Sequence, residues 1–586
     1  MFDDKEPSSD MQTRVLIAFA LSALVLVLFA PKGQKPADKG DKKAPSAQGQ
    51  QVAQAPAPAQ GPASAPSAPA TAKPGGTLSP AQSPPSQSPP SQSVVQESNE
   101  TEISIESDLY DVRFTNRGGV ATSWVLTNFK DGLGKRLDVV NPIDVAQVGW
   151  PLSIYVDDAE ARSKLAQGLY VGKTTSHQAP ATVTFEYSDG SLSARKEFHF
   201  ERSSYVVRIS TEVTRDGKPL AHEVSWRGGF GDRTAEGYSL ASVMTLSVGE
   251  KLDHKPIKDV KTDYRPNGPF SYLSLEDHFF AAIFMPGGAG DAAPVTFPSA
   301  TVFKNNFTAA PGQAVDLAGI SVGGEPVNHL RAYIGPKDMG ILKTISPDPR
   351  GDKIIEQGGQ APSIASVIDF GWFALVAVPL FMGMKWIYVH IVANYGWAIV
   401  ILTIGINFVL FPLKLSSMKS SMNMQKLAPQ VKAIQDKYKK YKMNDPKKAE
   451  ANEEVMALYK KEGVNPLGGC IPMLLQLPFL YGFYKVLSQS IEMRQAPWIL
   501  WISDLSQHEA GWFHLLPVLM IGTMVILQKM TPQTSADPVQ QKMMMMMPVM
   551  MGVMFYNVSS GLVLYWLAGN VVQLGQQWFI NRTTPA

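Results

Sequence analysis

Apolar positions divide this chain into three unlike parts. They crowd the first 30 residues and everything from Ser363 onward, and the stretch between them reads as soluble protein. The opening run, 15–30, has 16 residues, short against the ~20 that cross a bilayer as a helix. Pro31 follows Ala30 directly and no clean A-x-A cleavage site precedes it, so the run is expected to stay as a transmembrane anchor. Residues 31–100 hold 14 of the chain's 44 prolines among Ala, Ser, Gln and Gly. Such a segment buries too little apolar area to offset its ordering entropy, which predicts an extended tether.

From 101 to 345 the pattern is a period of two. Val183-Thr184-Phe185-Glu186-Tyr187 alternates cleanly, Asp189-Gly190 supplies a hairpin turn, and 192–200 reads as the return strand. The segments 103–105, 205–213 and 327–334 look similar, and no long helical period interrupts them. A β-sandwich is predicted.

Beyond Ser363 the predicted elements are helices. The run 391–413 is 23 residues long, enough for a full span, and 467–489, 512–528, 543–558 and 562–580 are long enough or nearly so. Charge then sets the topology. The loop 414–466 carries twelve lysines against six acidic residues and belongs in the cytoplasm, whereas 490–511 has only Arg494 and faces outside. If 370–384 also crossed, the β-region and the lysine-rich loop would share a side. That run, with Pro379 inside it, is therefore read as an interfacial helix on the outer surface, within a connector at 346–390. The result is six spans, both termini inside, a tail at 581–586 and a large β-domain outside.

Composition changes this picture little. A net charge of +2 gives no reason to expect nucleic acid, and the single cysteine, Cys470, excludes an internal disulfide and a cysteine-built metal site. There is no H-E-x-x-H and no G-x-S-x-G. Gly168, Gly172, Lys173 and Thr174 resemble a phosphate loop with the first glycine one residue too close and no helix after it. No enzyme chemistry and no cofactor is expected.

Three features remain. Leu427, Val431, Ile434, Tyr438 and Tyr441 are spaced 4, 3, 4, 3, the seam of a coiled coil, and Asn444-Asp445-Pro446 ends it before a returning helix at 449–462. A cytoplasmic helical hairpin follows, bearing Lys439 and Lys440 at its turn: either a solvated linker or a docking arm for nascent chains or the ribosome. Within the spans, Thr403 and Asn407 share a face, Lys414 lies seven beyond Asn407, Gln476 sits at mid-depth, and Ser559, Ser560 and Asn570 flank or enter the last span. Singly, each is satisfied by hydrogen bonding between helices. Together, with Lys414 at the mouth, they point to a hydrated groove open to the cytoplasm. Finally, Met543–Met547, Met550, Met551 and Met554 make eight of the chain's 25 methionines, either plain apolar filler or a deformable surface for many partners.

Several segments resemble the YidC (Oxa-type) insertase family: Val464-Asn465-Pro466-Leu467-Gly468-Gly469-Cys470 with Pro472, Gln476 and Pro478, then Arg494-Gln495-Ala496-Pro497, Asp537-Pro538-Val539-Gln540-Gln541-Lys542, and Ser560-Gly561-Leu562-Val563-Leu564-Tyr565. The resemblance implies a polytopic α-helical protein of the bacterial inner membrane with a five-span insertase core at 391–580 and a periplasmic β-super-sandwich. It implies a groove lined by Thr403, Asn407, Lys414, Gln476 and Ser560. Substrate segments would slide past Leu477, Phe479, Met543, Met547 and Met550, with Tyr565 and Trp566 as aromatic contacts. Nascent membrane proteins, the Sec translocon, the ribosome and lipid are the implied partners, and a monomer is expected. One departure stands out. The family usually places an arginine five residues before the proline that ends this span, and here, before Pro412, the residue is Asn407; Lys414 is the candidate substitute, about 10 Å nearer the cytoplasm at 1.5 Å per residue. A channel or transporter with an outside binding domain is the main alternative, and a carbohydrate-binding or carbohydrate-active protein using Asp232 and Glu236 is a lesser one.

Overall fold

A computed structural model describes residues 93–583, except 235–242, 249–250, 288–294, 310–312, 357–361, 442–445, 465–470, 510, 512 and 532–537. The expected anchor, nearly all of the tether, Cys470 and Glu236 lie outside the described residues. From Glu102 to Pro336 the chain forms three antiparallel sheets. The largest has ten strands, with Lys251–Pro256 at one edge and Val171–Thr174 at the other. The hairpin read from the sequence lies inside it: Ala181–Ser188 pairs with Leu192–Phe200, Ser188 opposite Ser193. Asp189 makes the turn by accepting the N–H of Ser191 and of Leu192 on one carboxylate oxygen, and Gly190 takes the φ of 94° that an L side chain resists.

Of the two four-stranded sheets, the first runs from Glu102 to Asp138 in sequence order. Its alternation buries Tyr110, Val112, Phe114 and Trp124, and the Phe114 ring meets Phe185 and Phe198 of the large sheet at 5.8 and 5.0 Å. The second orders Ser299–Ala309, Gln313–Glu325, His222–Trp226 and Ser153–Tyr155. The phosphate-loop look-alike resolves into a helix end and an edge strand: Gly168 caps Ala159–Gln167, and Gly172, Lys173 and Thr174 belong to Val171–Thr174.

The rest is helical: α1 (Ala374–His390), α2 (Tyr395–Val409), α3 (Phe411–Lys437), α4 (Pro446–Lys461), α5 (Ile471–Gln489), α6 (Leu515–Met530), α7 (Pro538–Met554) and α8 (Ser560–Thr583). Around α8 pack α2, α5 and α6; α1 lies on α2 and α5, and α7 on α6. The expected span 391–413 is not one rod. Pro412 has no N–H to continue a ladder, α2 stops at Val409, and α3 leaves at 55°. Among the described residues, Gly371–His390 is the one single helix long and apolar enough to cross a membrane by itself, and α2 with α3 qualifies only as a bent pair.

From Leu427 to Ile434 the seam of the hairpin packs as its spacing predicts, whereas Tyr441 lies beyond the end of the helix. Leu427 and Val431 are buried with Tyr459 and rest against Val455 and Leu458, while Ile434 is half-buried. Tyr438 donates its hydroxyl to Glu454 at 3.0 Å, and Lys437 pairs with the same carboxylate at 2.8 Å. The first arm is longer at its start than expected and ends at Lys437, so Tyr438 caps it; Lys439 and Lys440 are exposed in the turn.

Candidate functional site

A cavity of about 390 Å³ opens between α3, α5, α6, α7 and α8. Its lining comes from the start of α3 and α5, the second half of α6, the middle of α7 and α8 from Trp566 to Ile580, chiefly the half of the helices nearest the lysine-rich hairpin. The opposite half is closed by packing: Phe483, Val486, Leu487, Leu505, Val563 and Leu564 are at most 1% exposed.

The bend at Leu410 places the one charge in this lining. Lys414 follows it by one turn, and helical side chains tilt toward their own N-terminus. Its ammonium reaches back to donate to Asn407 Oδ1 at 2.6 Å. The charge therefore does not sit a full 10 Å below position 407; it sits against it. Asn407 is 1% exposed and fully used. Its Nδ2 donates to the Thr403 carbonyl at 2.8 Å, and its own carbonyl accepts from Gln576 Nε2 at 3.2 Å. Thr403 returns its hydroxyl to Ile399 O at 2.6 Å. Neither Thr403 nor Asn407 lines the cavity, contrary to expectation; they stand behind Lys414 and hold it.

Gln476 does line it, with its Nε2 2.6 Å from the Tyr565 hydroxyl. Five further amides share the wall, those of Gln528, Asn570, Gln573, Gln576 and Gln577. Gln528 donates to Met544 O, Gln576 to Asn407 O, and Gln577 to Met530 O at 3.3 Å. Asn570 donates to Thr523 Oγ1 at 3.1 Å, and that hydroxyl is itself committed to Met520 O. Because a carbonyl can only accept, these bonds fix each amide with its nitrogen in the wall. Among the described residues the side-chain oxygens of Gln528, Asn570, Gln576 and Gln577 meet no donor. The lining thus offers one cation, a set of six side-chain amides, and the hydroxyls of Ser417, Ser421 and Thr531.

Sequence reading missed Ser417, Ser421, Gln528, Gln573, Gln576 and Gln577. The signal was present: Asn570, Gln573 and Gln576 recur every three residues and Gln577 follows, one polar stripe on an otherwise apolar helix. Other expected positions fall elsewhere. Ser560 sits at the far end of α8 from the cavity, where its hydroxyl donates to Gln507 O at 2.9 Å, so it belongs to the loop between α5 and α6. Tyr565 is buried and stacked on Phe483 at 4.2 Å, while Trp566 lines the cavity. Leu477 and Met547 line it too; Phe479 is half-buried in packing, and Met543 and Met550 are exposed on the outer face of α7.

Between α5 and α6, Arg494 ties the helices to the β-region. Its guanidinium meets Asp232 at 2.6 Å, both side chains being about 5% exposed, and Lys130 O at 2.6 Å. Gln495 adds bonds to Lys130 O and Asp131 O, both 3.1 Å. Asp232, the carboxylate considered for sugar chemistry, is thus one half of an ion pair between domains.

Comparison with known proteins decides the family. Residues 386–586 match the model described as 60Kd inner membrane protein, and 102–382 that of the YidC periplasmic domain. The membrane protein insertase YidC of Pelobacter propionicus is 32% identical over 606 residues, covering 98% of this chain and 99% of that one. This chain belongs to the YidC insertase family. The YidC of Geobacter sp. (strain M21) is 34% identical over 501 residues, 82% of this chain and 86% of its own. A solved structure of an active YidC insertase with its first transmembrane domain resolved aligns at 20% identity over 82% of this chain and 93% of its own, with a TM-score of 0.36. Family membership gives the β-region its place as a YidC periplasmic domain and the helical part its place in the inner membrane.

Proposed function

We propose that this chain inserts membrane proteins by offering their polar segments the cavity around Lys414 as a halfway station. Membership of the YidC family makes it a membrane protein insertase rather than an enzyme, with nascent membrane proteins as substrates and the bilayer as their destination. The finer reading is physical. An unsatisfied backbone group costs several kcal/mol in hydrocarbon. A wet cavity through half the bilayer removes part of that barrier for a short tail, and the substrate's apolar helix then partitions into lipid. That last step drives the process, and no nucleotide is needed.

The observation that carries this is the asymmetry of the core: a polar cavity holding one cation at the hairpin end, dense packing at the other. With the hairpin cytoplasmic by its lysines, the cavity opens inward and the packed half seals outward. On this reading α2 with the first turns of α3, then α5, α6, α7 and α8, are the five core spans, and the anchor at 15–30 adds a sixth. Both termini are then cytoplasmic. Two observations favour α1 as a surface helix despite its length. Just before it, Ile364 N–H bonds Ile345 O at 3.0 Å and Ser366 meets the Tyr272 hydroxyl at 2.9 Å, both in the β-region. Near its other end, Lys385 pairs at 3.2 Å with Glu492, two residues from the Arg494 that grips the same region. A helix with both ends on one side lies along the membrane. Leu477, Trp566 and the methionines of α7 are the surface we assign to substrate, and the hairpin is assigned to the ribosome, with the Sec translocon as a further partner.

Photo-crosslinkers at 476, 547 and 566, in cells making a ribosome-held membrane protein, test the route. Crosslinks to the nascent chain from these positions and none from 483 are expected. If 476 and 566 stay silent while 483 reacts, the cavity is not the path.

A further inference from the structure

A second cavity, of about 320 Å³, lies between α1 and the short helix Met339–Leu342 at the end of the β-region. Met339, Val378 and Phe381 give it an apolar floor, and every charged or titratable group in its lining is basic: Lys343, Lys385 and His390. Two carboxylates stand close by, and both are committed. Asp338 accepts the N–H of Gly340 and Ile341 at 2.6 and 3.1 Å, and Glu492 holds Lys385. Lys343 is exposed and has no carboxylate partner among the described residues. The Lys385 ammonium lies 3.9 Å from where a side-chain carbon on Gly340 would stand, and Lys343, the C-cap of the same short helix, lines the same cavity.

The rim continues into an uncovered apolar stripe. Leu375, Met382, Trp386 and Val389 are spaced 7, 4 and 3 along α1, and all are more than half exposed. The opposite face, with Ala377, Leu380, Met384 and Ile387, is buried in the protein. Trp386 stacks on His390 at 5.1 Å, an aromatic pair with one polar edge of the kind that settles at a membrane surface. A free anion would satisfy the lysines and leave the stripe bare. A soluble protein partner would not be drawn to a face this close to the bilayer.

We propose that this cavity seats one phospholipid of the outer leaflet, its phosphate between Lys343 and Lys385 and an acyl chain along Met382, Trp386 and Val389. The proposal rests on α1 lying at the outer surface, as argued above. Such a lipid joins the β-region to α1 and gives the periplasmic domain a fixed height over the membrane.

Native mass spectrometry of the full chain in detergent, titrated with phosphatidylglycerol, reads the site. The wild type is expected to retain one lipid after the others are stripped. Lys343→Glu should weaken that lipid about tenfold or more, Trp386→Ala about threefold, and inorganic phosphate should not compete. Equal retention by wild type and Lys343→Glu overturns the site, and displacement by inorganic phosphate overturns the lipid. A nitroxide on Val389→Cys, in a Cys470→Ser background, separates this from the reading beneath it. A headgroup-level depth with no effect of Lys343→Glu sinks the slot alone; a depth at the bilayer centre sinks the surface helix and the slot together.

Discussion

Replacing Arg494 by alanine removes the cation from a pair whose two side chains are only about 5% exposed. Asp232 Oδ1 keeps the N–H and hydroxyl of Thr234, at 3.0 and 2.6 Å, but Oδ2 loses its partner inside the junction. Breaking a buried pair from one side costs ~3–5 kcal/mol, because a charge stays behind without water or partner. Taking the lower figure, ~3 kcal/mol, the junction should open about 150-fold more often, at 1.36 kcal/mol per factor of ten. Hydrogen exchange by mass spectrometry measures this directly, in peptides covering 226–234 and 491–505. The double variant Arg494→Met with Asp232→Asn is the control that makes the case. It removes both charges and keeps the volume, so it should recover most of the protection, leaving a loss of ~1 kcal/mol. The difference between single and double, about 2 kcal/mol, is the cost of leaving the Asp232 charge buried without its partner. If Arg494→Ala changes exchange by less than about threefold, or the double variant is as open as the single, the pair does not hold the junction.

Other expectations follow from the same contacts. In the β-region, burial pushes Lys196 down to about 7 and His222 down to about 4. Both groups bind fewer protons folded than unfolded, His222 between pH 4 and ~6.5 and Lys196 between pH 7 and ~10.4, so stability should rise with pH through both windows. Urea unfolding of the full chain followed by tryptophan fluorescence at pH 5 to 9 should show the rise, and a flat or falling profile would refute it. Gly396 and Gly552 look alike in sequence but differ in what a methyl would meet: the Cβ and ring of Trp498 for the first, the far end of Ile521 for the second. Gly396→Ala should therefore destabilise by ~1–3 kcal/mol and Gly552→Ala by much less, read as thermal shifts in detergent. Val431→Ala, which empties a 3%-exposed site in the hairpin seam, should cost ~1–3 kcal/mol locally and speed protease cutting between α3 and α4 without changing the β-region.

Period made the large divisions of this chain legible: alternation gave the β-region and apolar length the helices. Periodicity also found the hairpin seam, since Leu427, Val431 and Tyr438 need only their own helix and its neighbour to be buried. What escaped depends on geometry between elements. Thr403 and Asn407 share a face of α2, as their spacing said, but that face turns toward Lys414 and α8, and no pattern within one helix records what lies opposite. Ser560 was misplaced because polarity near a span does not tell which end of the span it occupies. Arg494 was recognised as part of a motif, and its partner Asp232 lies 262 residues away, beyond any local pattern.

The bend at Leu410 makes the missing groove arginine less of a departure than a register count implies. What the cavity needs is a cation at a place in space, and two routes reach it: a long side chain from position 407, or a lysine one turn past Pro412 that folds back onto the Asn407 amide. If the routes are equivalent, the charge can be moved. Lys414→Gln alone should impair insertion, since no other charged residue lines the cavity among the described residues. Asn407→Arg with Lys414→Gln should restore it, because the guanidinium starts at the amide that the ammonium now touches. Asn407→Leu should resemble Lys414→Gln in direction, as it deletes the acceptor that draws the ammonium inward. Complementation of a depleted strain, with protein levels checked by blot, reads all three. A double variant as defective as Lys414→Gln alone would mean that the lysine works at the mouth, on the substrate's first contact, and not at the depth where position 407 lies.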